Sequence, residues 1–229
     1  MKKEENTIQK EIHFYALFWL FMIGSVIGFC IEGLWSIVRV GHWEHHAATI
    51  WGPFCIIYGI GTVAVYVTSY LLRNRNLAVK FLTYFLTGAL VEYFGSLFQE
   101  ICLGSVSWNY SDHFMNIGGR VSLIMALTWG VLGISFMNTL YPVIQKLLVK
   151  SCKKPLKMAA LALVIFMAIN LSLTSFTIMR WRERLENIPA ENKMEVWADT
   201  TYGNEKMQEL FSNMRFTAEE TENGEKISN

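Results

Sequence analysis

The sequence predicts an all-α, polytopic membrane helical bundle of about five transmembrane helices, with its amino terminus in the cytoplasm. Three observations carry that prediction. Five apolar runs each reach the roughly 20 residues that a helix needs to cross a hydrocarbon core of roughly 30 Å. The short segments between them alternate in basic charge. Polar residues are concentrated at 180–229, so the mean hydropathy of +0.28 over 229 residues averages two unlike parts.

A cytoplasmic segment is expected at 1–13, then a transmembrane domain over 14–179, then a polar tail over 180–229. The spans are read at about 14–38, 50–72, 78–103, 121–149 and 156–179. All five read as helices, being too long for strands and lacking period-two alternation. The first is too long for a signal-peptide core and has no small-residue cleavage site, so it is expected to remain as a span. The second opens on Gly52-Pro53, and the fourth contains Pro142. A Gly-Pro pair there fits either close helix packing or a broken, half-inserted helix.

Orientation follows from the loops. Lys2, Lys3 and Lys10, then Arg73, Arg75 and Lys80, then Lys146, Lys150, Lys153, Lys154 and Lys157 fall on one side. The other side has Arg39 and Arg120. Excess Lys and Arg marks the cytoplasm, which puts loops 39–49 and 104–120 and the tail outside. Arg180, Arg182 and Arg184 run against that assignment. A re-entrant fifth segment would explain them by returning the tail to the cytoplasm.

Several classes are excluded. A net charge of +1 with no basic stripe or zinc-finger spacing gives no reason to expect nucleic acid. No GxxxxGK[ST] loop is present, so the chain is not itself an ATPase, and no GxSxG elbow or recognised catalytic motif occurs. No cofactor is expected. Of Cys30, Cys55, Cys102 and Cys152, three lie in apolar runs, where cysteine serves as a small hydrophobe. His42, Glu44, His45 and His46 in one outer loop, with Asp112 and His113 in the other, lack a metal signature, and no metal is expected.

Glu32 and Glu92 are the anomaly, since each lies inside a long apolar helix, in its outer half. A charge there costs on the order of 3 kcal/mol even on the forgiving insertion scale. Arg120, at the same outer end, is the natural counter-charge. Two readings stay open: a Glu–Arg–Glu lock joining three helices, or a substrate or ion site with Tyr58 and Tyr110 as hydrogen-bonding neighbours and Asn116 at its mouth. Without a partner, a buried glutamate would hold its proton. Glu100 lies nearer the membrane edge and reads as solvated. Gly28-x-x-x-Glu32 and Gly88-x-x-x-Glu92 suggest a weak internal repeat, each followed by an outer-loop tryptophan, Trp43 or Trp108.

These residues resemble a known family. Trp51-Gly52-Pro53-Phe54-Cys55 with Ile57-Tyr58-Gly59 and Gly61 is similar to its Gly-Pro…Ile-Tyr-Gly-x-Gly block. Glu92-Tyr93 with Gly95 is similar to its Glu-Tyr-x-x-Gly. Trp108-Asn109-Tyr110-Ser111, followed by Asn116-Ile117-Gly118-Gly119-Arg120, resembles its Trp-Asp-Tyr-Ser…Asn-x-Asn-Gly-Arg. Trp129-Gly130, Pro142 and Gly28 with Glu32 also fit. The family is the bacterial membrane family Putative ABC-transporter type IV, permease-like. The resemblance covers about residues 20–150, and Tyr202, Met207 and Phe211-Ser212-Asn213-Met214 look like its recurring end. Asn109, Gly118 and Ile56 depart from the usual Asp, Asn and Pro.

The resemblance implies the permease component of a transporter in the bacterial cytoplasmic membrane. A separate ATPase subunit would dock on loops 73–80 and 145–157. The 145–157 loop could equally hold anionic membrane lipids, and a homodimer would enlarge a small bundle. The alternatives are a non-transporting scaffold or sensor whose tail binds a partner, or an enzyme acting on lipid or cell-wall precursors.

Overall fold

The computed structural model describes residues 13–151 and 153–217. The expected cytoplasmic segment with Lys2, Lys3 and Lys10, Cys152, and residues 218–229 lie outside the described residues. The chain folds as α1 (Phe14–Val40), α2 (Ile56–Leu71), α3 (Leu77–Leu103), β1 (Ser105–Val106), α4 (Leu123–Ser135), a π-helical turn (Phe136–Leu140), α5 (Tyr141–Lys150), α6 (Lys154–Leu185), α7 (Lys193–Thr201), α8 (Asn204–Leu210) and β2 (Arg215–Phe216). The class is all-α, with four helices long and apolar enough to cross a membrane: Phe14–Val40, Leu77–Leu103, Leu123–Lys150 and Lys154–Leu185.

The second apolar run makes a helix of only 16 residues, about 24 Å long. Helix begins at Ile56 rather than near Ile50, because Gly52 takes a left-handed φ of +82° and Pro53 follows. Residues 47–55 form an irregular strap in which Ala47, Thr49, Ile50, Phe54 and Cys55 are buried. Irregular backbone is stable inside a bundle only when protein satisfies its polar groups. Asn170 on α6 does so twice at Trp51, accepting from its N–H at 3.3 Å and donating to its carbonyl at 2.7 Å. Thr174 accepts from the Ile50 N–H, and the Ser25 carbonyl accepts from the Cys55 N–H. The Gly-Pro pair thus marks a break in helix whose neighbours Ile50, Trp51 and Cys55 are held by α1 and α6.

In the fourth run, the Tyr141 N–H reaches back five residues to the Phe136 carbonyl. Pro142 has no N–H to give and crowds the preceding turn, which a widened π turn accommodates.

Side-chain placement inverts that of a soluble helix. On α3, Tyr84, Gly88, Glu92 and Ser96 face inward at four-residue spacing, while Leu82, Leu86, Leu90, Phe94 and Phe98 are exposed. Small and polar residues inside with large apolar residues outside is the pattern of helices packed in lipid. The tightest pairs are α1 with α2 and α3 with α4.

Four of the five expected spans are helices long enough to cross a membrane, and the second is the shorter apolar helix α2. One end of the bundle joins Tyr15 and Ala16 to Lys157 and Leu148. Loop 72–76 turns at this basic end, where α5 ends and α6 begins. The other end carries the 41–55 strap, the 104–122 loop and a folded cap made by residues 186–217. β2 of the cap pairs antiparallel with β1, Ser105 opposite Phe216. His46 bridges Phe211, Asn213 donates to the Ser107 carbonyl, and Trp51 donates to the Tyr202 hydroxyl at 3.1 Å. Met207 and Phe211 are almost fully buried in a core with Ile178, Trp181 and Phe216.

The expected polar tail is therefore a packed element, and α6 is unbroken from Lys154 to Leu185. Of the three arginines that ran against the charge rule, Arg180 and Arg184 are turned into the cap. Arg180 is 2% exposed and donates to both Asp199 carboxylate oxygens at 2.9 Å, and Arg184 donates to Asp199 at 2.6 Å. Arg182 faces Glu186. Arg180 and Arg184 are thus committed to ion pairs with the cap.

Candidate functional site at the bundle centre

The site is built by two equivalent arrangements. Gly28 and Gly88 each lie one turn before a glutamate on the same helix face. A Cβ at Gly28 would fall 2.3 Å from Cβ and Cγ of Tyr58, and one at Gly88 would fall on Trp129. Each glycine thus seats an aromatic side chain from the neighbouring helix, and each aromatic donates to the glutamate one turn on. The Tyr58 hydroxyl donates to Glu32 Oε1 at 2.6 Å, and the Trp129 indole N–H donates to the Glu92 carboxylate. The two rings meet with centroids 5.5 Å apart, and Gly61 leaves room for Trp129 on the α2 side. The Gly-x-x-x-Glu repeat thus has a shared physical use in the α1–α2 and α3–α4 pairs.

Glu92 is only 6% exposed, and its Oε2 has no hydrogen-bond partner among the described residues. Tyr110 enters from the 107–122 loop above it. Burial raises the Tyr110 phenol above its ordinary range, and the charges of Glu92 and then Glu32 add to the shift. Glu32 and Tyr58 thus meet directly, and Tyr58 meets Trp129, the aromatic partner of Glu92.

Arg120 does not join them. It pairs with Glu100 and donates to Ser96 Oγ at 3.2 Å. Glu100, expected to be solvated, is the partner, and no Glu32–Arg120–Glu92 lock forms. Asn116 does not line the mouth either. It donates to the Ser111 and His113 carbonyls and accepts from the Gly119 N–H, so it builds the loop. Trp129, absent from the expected site, is the residue that sequence reasoning missed. An indole N–H in the middle of an apolar helix needs an acceptor, and Glu92 was available.

The structural motifs shape the mouth. Trp108 donates to the Arg120 carbonyl at 2.9 Å, and the Tyr110 N–H donates to the Gly119 carbonyl at 2.7 Å. Gly119 has a φ of +66°, and a Cβ there would meet Asn109 Oδ1. Gly59 lets α2 approach Ser25 and Phe21 on α1. In the other outer loop, Arg39 pairs with Glu44 at 2.6 Å and lowers its carboxyl below the usual range, while His45 faces the Leu210 carbonyl. Among the described residues no group of three or more His, Cys, Asp or Glu is placed to hold a metal ion.

Residues 19–175 match the family described as Putative ABC-transporter type IV. The chain belongs to that family. The match runs into α6 and stops short of the cap, beyond the first four spans and without the tail residues 202–214. Among curated proteins and among solved structures nothing matches the chain.

All three departures from the family pattern keep the local physics. Asn109 uses its Oδ1 to accept from the Ser111 N–H and hydroxyl, which an aspartate would also do. Gly118 has a φ of +57°, a left-handed position that Asn also tolerates. Ile56 is the first residue of α2, where the missing N–H of Pro is no loss.

Proposed function

We propose that this membrane protein is the permease-like component of an ABC-type transporter, with a separate ATPase docking on loops 73–80 and 145–157. The family supports the transporter class. The observation that carries the site is the buried, half-partnered Glu92 carboxylate, to which Arg120 is not committed. An ionisable group kept inside a bundle without a stabilising partner is the mark of a site that handles a polar or charged ligand. Glu32, Glu92, Tyr58 and Tyr110 form that site, and Asn116 and Arg120 hold the loop that covers it.

The bacterial cytoplasmic membrane is the proposed location, with the basic end cytoplasmic and the capped end outside. Residues 70–80 and 141–157 contain Lys and Arg and no acidic residue, which supports that orientation and contact with anionic lipids. A cysteine replacing the exposed Ser212 is expected to react with an impermeant maleimide in intact cells. Reaction only after permeabilisation would invert the orientation.

Affinity purification from solubilised native membranes tests the transport reading, with a stoichiometric ATPase as the expected partner. The folded cap favours a second reading, a non-transporting scaffold or sensor. It presents Met194, Val196 and Trp197 to solvent. An envelope protein recovered in place of an ATPase would favour that reading over transport.

A further inference from the structure

The loop between α3 and α4 carries an apolar tip that stands open. Phe114, Met115 and Ile117 are 73%, 63% and 62% exposed. The stretch from Phe114 to Gly119 has no charged residue. Its one polar side chain, Asn116, is spent inside the loop on the Ser111 and His113 carbonyls and the Gly119 N–H. Met115 holds a left-handed φ of +52°, which a residue other than glycine adopts only at a cost. The hydrogen bonds around it therefore fix the shape that presents these side chains outward.

The height of the tip follows from its ties to α3. Arg120 donates to Ser96 and pairs with Glu100. Those two residues lie about 24 and 30 Å along α3 from Lys80 at the basic end. A hydrocarbon core is roughly 30 Å thick, so Arg120 works at its boundary on the capped side. Ile117 shares that height. Its carbonyl accepts from the Arg120 N–H at 3.1 Å, and its N–H donates to the Val121 carbonyl at 2.9 Å. The lipid-facing surface continues on both sides of these ties. Ile101 follows Glu100 on α3, Ile124 is the second residue of α4, and both are exposed.

We propose that Phe114, Met115 and Ile117 form an interfacial anchor, inserted among the phospholipids of the leaflet at the capped end. Large apolar side chains on irregular backbone suit this boundary zone. Headgroups and water there serve the backbone, while acyl chains take the side chains. Height and lack of charge select lipid over a soluble protein, which would have to enter the boundary zone to reach the tip. The anchor also steadies the roof of the site. The Tyr110 N–H donates to the Gly119 carbonyl, so lipid that holds the tip holds the Tyr110 backbone with it. The anchor requires only a bundle in lipid and stands apart from the transport reading.

The test places the photoreactive residue p-benzoylphenylalanine at position 114, and separately at 117, of the full chain in native membranes. The same probe at the exposed Leu90 of α3 is the lipid-facing control. Elution with the native chain in size-exclusion chromatography establishes that each variant is folded. After irradiation, the intact mass is expected to rise by one phospholipid at 114 and at 117, as it does at Leu90. A protein adduct at either position would overturn the anchor and make the tip a protein-docking site. A lipid adduct at Leu90 without one at 114 or at 117 would overturn it too, because the tip would then stand in water.

Discussion

Asp199→Ala is expected to release the cap from the bundle, at a cost of about 3 kcal/mol, the lower end of the range for breaking a buried ion pair. The lower end applies because the Asp199 side chain is 24% exposed. Its partner Arg180 is not: at 2% exposure it depends on Asp199 for two of its donors, and it keeps only Glu183 and the Ile188 carbonyl when Asp199 is removed. Arg184 loses its carboxylate partner in the same step. The readout is limited proteolysis after Leu185 together with thermal unfolding in detergent. Acid should reproduce the effect. Hydrogen bonding from Arg180, then from Arg184, holds the Asp199 carboxyl below its ordinary value. A group lowered on folding contributes fully above its unfolded value, near 4, and that contribution is lost as pH falls through the folded value. The native cap is therefore expected to loosen only below about pH 4, and Asp199→Asn should show no such acid limb.

Gly88→Leu is expected to disrupt the centre of the bundle by about 3 kcal/mol, the upper end of ordinary overpacking. The new Cβ would lie on Trp129, which is 6% exposed and held from the other side by Gly61, so the indole cannot move aside. Displacing it would also take its N–H from Glu92 and leave a second polar atom unsatisfied. The measurement is thermal unfolding against Gly118→Asn as control. Gly118 has open space around it and a backbone that Asn adopts readily, so the control should unfold with the native chain.

Particular residues mark how far the sequence could be read. The apolar runs and loop charges indicated an all-α bundle, because lipid forces long uninterrupted helices. The meeting of Glu32 with Tyr58 was legible from the Gly-x-x-x-Glu spacing beside a tyrosine on the next helix. The partner of Arg120 was misread because the outer half was treated as one level. Glu92 and Glu100 share a face of α3, but eight residues separate them by about 12 Å along the axis. Arg120, at the capped end, meets the nearer carboxylate. The cap was hidden by its composition. Polar residues dominate 180–217, and the residues that bury, Tyr202, Met207, Phe211 and Phe216, follow no single helical period because two short helices and a strand share them.

The central claim is that Glu92 is kept for what it does and not for holding the helices together. The thermal unfolding temperature of purified Glu92→Gln tests it most directly. Gln keeps an acceptor for the Trp129 indole, adds donors, and removes the charge without changing the size of the side chain. The account predicts a chain at least as stable as the native one, since a site residue commonly carries a stability cost. A loss of about 3 kcal/mol, the size expected when one partner of a buried charge lock is removed, would contradict it.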